Sequence, residues 1–175
     1  AGAMYAVTAG FREMAKATVN VEKKLADINV ILGRSKKNLV KFGKDLFQVA
    51  SNTGRSVNEV AEAATEFSRQ DLGVEKTLHR TKDAMILMRL SGLDAKNSVE
   101  ALTAAMNSFN NVTLTSTQIV NKMAKVDAAF AVSSADLANA IKRVGATAED
   151  AGLGMDELMA AVTAVQQTTA RGGPV

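Results

Sequence analysis

The sequence predicts an all-α protein, with a long coiled-coil-type helix at the N-terminal end and then a bundle of about six short helices arranged as helical hairpins. Three observations favour this class. Hydrophobic residues make up 47% of the 175 residues but only 4% are aromatic. The single proline, Pro174, is the last residue but one. Apolar residues recur at helical spacing in almost every segment, whereas a sheet protein would use aromatic and β-branched runs and turn prolines.

The first 50 residues carry one continuous heptad pattern, which we call the heptad stripe. Its positions alternate four and three residues apart: Val7, Phe11, Met14, Thr18, Val21, Leu25, Ile28, Leu32, Ser35, Leu39, Phe42, Leu46 and Val49. This spacing keeps one side of a helix facing a partner in a left-handed coiled coil. A continuous helix of this length would span about 65 Å at roughly 1.5 Å per residue, too long for a small domain to cover.

We therefore predict that copies of the chain associate through the stripe. The seam residues of this predicted contact are Phe11, Met14, Val21, Leu25, Ile28, Leu39, Phe42 and Leu46. Gly33 is the position that decides its geometry. Because a helical glycine costs only about 1 kcal/mol, the unbroken phase favours one long helix by a narrow margin. A bend at Gly33 would instead fold the stripe into a hairpin that covers itself.

A turn-forming cluster from Ser51 to Ser56 follows the stripe and predicts a domain boundary. The predicted division is a helical arm over residues 1–50 and a helical core domain over residues 51–175. Ser56 opens the first helix of the core, with Glu59 three residues later completing a capping box.

The remaining helices are delimited by glycines and caps. One helix is expected from about Val74 to Ser91, closed by Gly92, and its segment 84–88 is apolar nearly all round, which indicates burial on several sides. Asp94 caps the next helix, and either Ser133 or Ser134 caps a later one. Ser56, Asp94 and Ser134 lie 38 and 40 residues apart. This periodicity is typical of stacked helical hairpins, but an ordinary bundle of similar helices would also produce it.

Residues capable of catalysis or metal binding are scarce. His79 is the only histidine and the chain has no cysteine, so a histidine-pair metal site or a thiolate site cannot be built. No serine-nucleophile motif or phosphate-binding loop occurs. The sequence therefore predicts no enzyme activity, no catalytic residue, no cofactor, no metal and no small-molecule substrate.

Charge leaves two further functions open. The first 48 residues hold nine Lys or Arg against four acids, although the whole chain is only +3. A basic coiled-coil module could bind nucleic acid through Arg34, Lys36, Lys37, Lys41 and Lys44, but aromatic residues do not alternate with these lysines, which disfavours specific binding. Alternatively, Ala/Met-rich helices with a lysine-bearing face could lie on an anionic membrane. The simplest explanation of the charge is a solvated helix face.

Several segments together resemble the core domain of phage tail tape measure proteins. They are Val132–Ile141, Ala148–Val162 and Thr169–Gly173, supported upstream by Thr53–Ala61 and Leu90–Ala95. In that family a "serine-x-acid-leucine" helix start precedes Ala-rich hairpins, a "Gly-x-x-x-x-Glu-Leu" helix and a Gly-rich exit turn. The resemblance covers roughly the last 125 residues and lies in the order and spacing of caps and small residues.

The resemblance implies a structural virion protein of a phage or prophage, assembled in the bacterial host cytoplasm. Such a protein is a helical ruler that sets tail length during assembly and leaves ahead of the DNA at injection. Its implied partners are the tail tube protein, tail assembly chaperones and tail tip proteins, with possible membrane contact at injection. We also expect the chain to be a fragment of a larger protein.

Overall fold

The computed structural model describes residues 19–31, 33, 36–110 and 114–171. Each regular element in these ranges is an α-helix, which confirms the predicted all-α class. The helices are α1 (residues 19–31), α2 (Lys36–Thr53), α3 (Val57–Ser68), α4 (Val74–Ser91), α5 (Ala95–Ser108), α6 (Ser116–Ala129), α7 (Ser134–Asp150) and α8 (Met155–Arg171).

The chain divides into two compact units, unit 1 (Ala1–Thr81) and unit 2 (Lys82–Val175), with the division falling inside α4. The predicted division into residues 1–50 and 51–175 concerns domains that fold by themselves. The positions of the helices do not test it, so it stays a prediction.

In the described part of unit 1 the chain reverses at Gly33, between α1 and α2, so the prediction of one uninterrupted helix through Gly33 is wrong. Gly33 has a φ of +57°, in the left-handed region where a glycine has no Cβ to clash. Its N–H donates to the carbonyl oxygen of Asn29 at 2.9 Å, which ends α1. Leu25 of α1 then packs over Gly43 of α2, where an added Cβ would lie 3.3 Å from Leu25 Cδ1. The physical reason for the reversal is that it lets the apolar stripe cover itself.

The core of unit 1 is built from α1, α2, α3 and the start of α4. Its buried apolar side chains are Val21, Ile28, Phe42, Leu46, Ala50, Val60, Ala61, Ala63, Ala64 and Phe67. The ammonium group of Lys24 on α1 donates to the carbonyl oxygen of Asn58 at 3.2 Å and contacts the Glu62 carboxylate at 3.4 Å, so α1 is joined to α3 as well as to α2.

In unit 2, α7 is the central helix and packs against α5, α6 and α8. The fully buried side chains from these helices include Leu102, Ile119, Met123, Leu137 and Ile141. The apolar segment of α4 also behaves as predicted, since Ala84, Met85 and Leu87 are completely buried.

The starts of the helices confirm most of the predicted caps. Ser56 and Glu59 form the predicted capping box, and Asp94 accepts from the backbone N–H of Asn97. Of the two serine candidates, Ser133 is the N-cap of α7. Thr115, which was not among the predicted caps, caps α6 with a capping box of its own.

The hairpin periodicity is regular in unit 2. Helix α7 starts 39 residues after α5, at 134 against 95, and α8 starts 39 residues after α6, at 155 against 116. The pairs α5–α6 and α7–α8 are therefore two successive helical hairpins of one design, as in stacked helical repeats.

Candidate interaction surfaces

Two buried or half-buried carboxylates fix the starts of α6 and α7. Asp83, on α4 and 3% exposed, accepts from the Ser116 hydroxyl at 2.5 Å and from the Thr117 hydroxyl at 3.0 Å. Asp127, near the end of α6, accepts from the backbone N–H of Ser134 at 2.9 Å and from its hydroxyl at 2.6 Å. A carboxylate at a helix N-terminus complements the helix dipole and satisfies free N–H groups. These contacts are structural and set the register of the hairpins.

Two lysines connect successive hairpins of unit 2. Lys142 of α7 donates to Asn97 at 2.8 Å and to Glu100 at 2.6 Å, both on α5. Lys122 of α6 pairs with Asp156 of α8 at 2.6 Å. Because these pairs are partly exposed, each contributes on the order of 1 kcal/mol or less, so they orient the helices more than they stabilise them.

The two carboxyl groups whose pKa values are lowered, those of Glu59 and Asp94, also belong to helix caps. Burial raises the pKa of Glu59, but hydrogen bonds from the backbone and side chain of Ser56 and the charge of Arg55 outweigh it, so the pKa is lowered overall. The backbone N–H of Asn97 lowers the pKa of Asp94. Arrangements of this kind stabilise the charged carboxylate and do not prepare it for proton transfer.

Unit 2 contains a cavity of about 260 Å³. The described residues that line it are Phe109, Leu114, Glu149, Gly152, Leu153, Gly154 and Met155, and of these only Glu149 is ionisable. Small-molecule sites usually have volumes of about 300–1,000 Å³ and several convergent polar groups, so this cavity is smaller and less polar than such sites.

His79 is exposed on α4, and the described residues contain no group of three or more possible metal ligands.

The predicted seam residues lie at several depths. Val21, Ile28, Phe42 and Leu46 are buried within unit 1. Leu25 and Leu39 are half-buried, and Phe11 and Met14 lie outside the described residues. The bend at Gly33 thus brings the described seam residues together inside one chain. Association of copies through the seam is not tested by these positions and stays a prediction.

A flank of α2 beside its buried side carries an apolar surface that was not predicted from the sequence. Val40 and Phe47 are each 56% exposed, and Lys41 and Lys44 are exposed beside them. We call these four residues the outer face of α2. Its signal in the sequence was the seven-residue spacing of Val40 and Phe47, which puts both on one side of a helix. Because the heptad stripe at Leu39, Phe42 and Leu46 is the stronger pattern, only that side of α2 was assigned a role.

None of the described helices combines the length and the apolar character needed to cross a membrane. Together, the capped helices, the interhelical pairs and the exposed apolar residues define, over the described part of the chain, a protein built of packed helices.

The comparison with protein families gives the particular class. Residues 37–174 match the family of phage-related minor tail proteins. The chain belongs to this family, and its role is that of a structural phage tail protein. No solved structure matches the chain.

Proposed function

We propose that this chain is part of a tape measure protein, the helical ruler that sets the length of a phage tail. The observation that carries the proposal is the family match over residues 37–174 of a chain whose described elements are all helical. An α-helix suits a ruler because its rise is fixed at roughly 1.5 Å per residue, so residue number translates into length.

In this proposal the protein acts without catalysis and without a cofactor. It resides in the phage tail after assembly in the bacterial cytoplasm, and it leaves ahead of the DNA. Its partners are the tail tube protein, tail assembly chaperones and tail tip proteins. The regular hairpins of unit 2 support the proposal, because a repeated unit allows a ruler to lengthen by whole steps without new packing rules.

The direct test changes the number of residues in this protein and then examines the tails of a phage that encodes it. Deleting residues 133–171 removes one 39-residue hairpin, and duplicating them adds one. If the helices are extended in the tail, the two changes shift tail length in opposite directions by about 58 Å at roughly 1.5 Å per residue. Electron microscopy of tails measures the shift. Tails of unchanged length in both variants would rule out the ruler.

The proposal also includes association between copies of the chain through the predicted seam residues. Because Ile28 and Phe42 are buried within unit 1, copies can share the seam only if α1 separates from α2. Replacing both Leu25 and Ile28 by Asp should abolish oligomers in analytical ultracentrifugation while hydrogen exchange in α5–α8 stays as slow as before. Oligomers that persist in this double variant would remove the seam as the interface.

The outer face of α2 favours a second candidate, contact with an anionic membrane surface. Phe47 and Val40 offer apolar side chains, and Lys41 and Lys44 offer positive charge beside them. Co-sedimentation with anionic vesicles should fall when Phe47 is replaced by Asp, and salt should weaken it. Equal pelleting with neutral and anionic vesicles would contradict this candidate. The basic nucleic-acid module has no comparable support among the described residues.

A further inference from the structure

Helix α1 of unit 1 contacts α2 through the side of the helix that carries the heptad stripe. Val21 and Ile28 are buried on that side. Leu25, between them, lies over Gly43 of α2. These contacts join residues on opposite sides of the hinge at Gly33, so the α1 of a second copy can make the same contacts with α2 unchanged.

A polar contact joins α1 to α3. The ammonium group of Lys24 donates to the carbonyl oxygen of Asn58 at 3.2 Å and lies 3.4 Å from the Glu62 carboxylate. The two charged side chains are 25% and 43% exposed, so the pair is only partly screened by water. Since its two members belong to separate helices, this pair can report which chain supplies the α1 that lies on a given α3.

The hinge at Gly33 can open without the loss of its backbone hydrogen bond. The N–H of Gly33 donates to the carbonyl oxygen of Asn29, four residues earlier, which is also the bond of a continuous α-helix. Its φ of +57° is what departs from helical backbone. Glycine adopts both conformations readily because it has no Cβ.

The sequence on the two sides of the hinge keeps a common heptad phase. Ile28, Leu32, Ser35 and Leu39 follow one another at steps of four, three and four residues. A folded-back hairpin does not require this phase, because a turn lets two helices meet at any rotation about their axes. An extended pair of helices does require it, since each must keep one side toward its partner.

We propose that two copies of this chain exchange α1, so that the α1 of each copy opens at Gly33 and packs on α2 and α3 of the other. Exchange of this kind reuses an interface that already exists within one chain. The bend remains the structure of the single chain, and the exchanged dimer gains as concentration rises. The inference rests on the proposed association through the seam, for which it supplies the partner surface, and not on the ruler.

The first experiment reverses the Lys24–Glu62 pair in separate chains. Lys24→Glu and Glu62→Lys each bring like charges together, both within the single chain and in a dimer of identical chains. A mixed dimer with exchanged α1 restores opposite charges at both contacts. When the two variants are refolded together from urea, native mass spectrometry should show mixed dimers about tenfold above the statistical proportion.

The control carries both reversals in one chain, Lys24→Glu with Glu62→Lys. Alone, this double variant should dimerise as the wild type does, because its charges match again. Mixed with wild type, it should form fewer mixed dimers than the statistical proportion, since exchange then brings like charges together. Statistical proportions in both mixtures, or a wild-type chain that is monomeric at all concentrations, would overturn the exchange.

The second experiment uses the absence of native cysteine. Lys24→Cys and Glu62→Cys, placed in separate chains and refolded together, should be linked between chains by a short bismaleimide. Lys23→Cys replaces Lys24→Cys in the matched control, because Lys23 is exposed and one position away on α1. Equal yields from the two mixtures would contradict the exchange. The tail-length test is independent of these results, so failure of the exchange and failure of the ruler can be told apart.

Discussion

In unit 1 a long stripe of large side chains covers itself because the chain reverses at Gly33, whereas in unit 2 short helices stack as hairpins at a 39-residue interval. The first arrangement depends on one turn and on side chains such as Ile28 and Leu46. The second depends on buried alanines and on polar contacts such as those of Asp83 and Asp127. The comparison shows that the packing of similar helices can be determined in two ways: by burial of a continuous apolar stripe, or by polar contacts that fix the residue at which each helix begins.

The largest expected effect breaks the apolar packing of unit 1. Leu46 is 1% exposed, so Leu46→Ala should lower the free energy of unfolding by about 2–5 kcal/mol through lost burial and a cavity. Its neighbour Phe47 is 56% exposed, and Phe47→Ala should change stability by no more than about 0.5 kcal/mol. Urea unfolding followed by circular dichroism measures both. Similar losses in the two variants would mean that α2 packs through its outer face.

The next effect weakens a helix start in unit 2. Asp83→Ala leaves the buried Ser116 hydroxyl without this acceptor, which should cost about 1–3 kcal/mol. Asp150→Ala removes an exposed carboxylate near the C-terminal end of α7 and should be close to neutral. Urea midpoints of the two variants provide the comparison. If Asp83→Ala is as stable as Asp150→Ala, the starts of the helices are not what orders unit 2.

A smaller effect tests the reversal in unit 1. Gly33→Ala forces a Cβ into left-handed backbone and should cost about 1–2 kcal/mol. Gly33→Asn should lose less, because asparagine adopts this conformation more readily than alanine. Thermal unfolding of both variants measures the order. A Gly33→Ala variant at least as stable as Gly33→Asn would show that the turn is not required.

The smallest effect is the dependence of cap stability on pH. Because the pKa values of Glu59 and Asp94 are lowered from 4.5 and 3.8, their charged forms stabilise the folded chain above those values. This contribution is lost as the pH falls through the lower folded-state values. Urea midpoints between pH 7 and pH 3 should fall more for the wild type than for a Glu59→Gln, Asp94→Asn double variant. Parallel curves would assign acid sensitivity to other carboxylates.

Much of the fold could be predicted from local signals. Capping at Ser56 and Asp94 depends on side chains within three residues, so the sequence alone was enough to place those helix starts. The buried segment of α4 was equally visible, because its apolar residues occupy all sides of the helix. The family resemblance depended on these same local signals.

The reversal at Gly33 and the contacts between hairpins could not be predicted in the same way. A heptad pattern indicates which residues are buried, but not whether the covering helix belongs to the same chain or to another. At Gly33 the choice between a continuous helix and a bend depends on the cost of a glycine within a helix, which is only about 1 kcal/mol. The contacts of Asp83 with Ser116 and of Lys142 with Glu100 join residues more than 30 positions apart. No local spacing encodes such pairs, so these contacts emerged only with the structure.

The turn at Gly33 also determines how long a distance residues 19–53 can span. Straightened, residues 19–53 would extend about 52 Å at roughly 1.5 Å per residue, whereas folded back they extend no further than α2 alone, about 27 Å. One backbone conformation therefore halves the distance that this part of the chain can bridge, without the loss of a single residue. In mechanical terms, pulling on α1 and α2 from opposite ends would lengthen the pair by nearly a factor of two before any helix had to unwind.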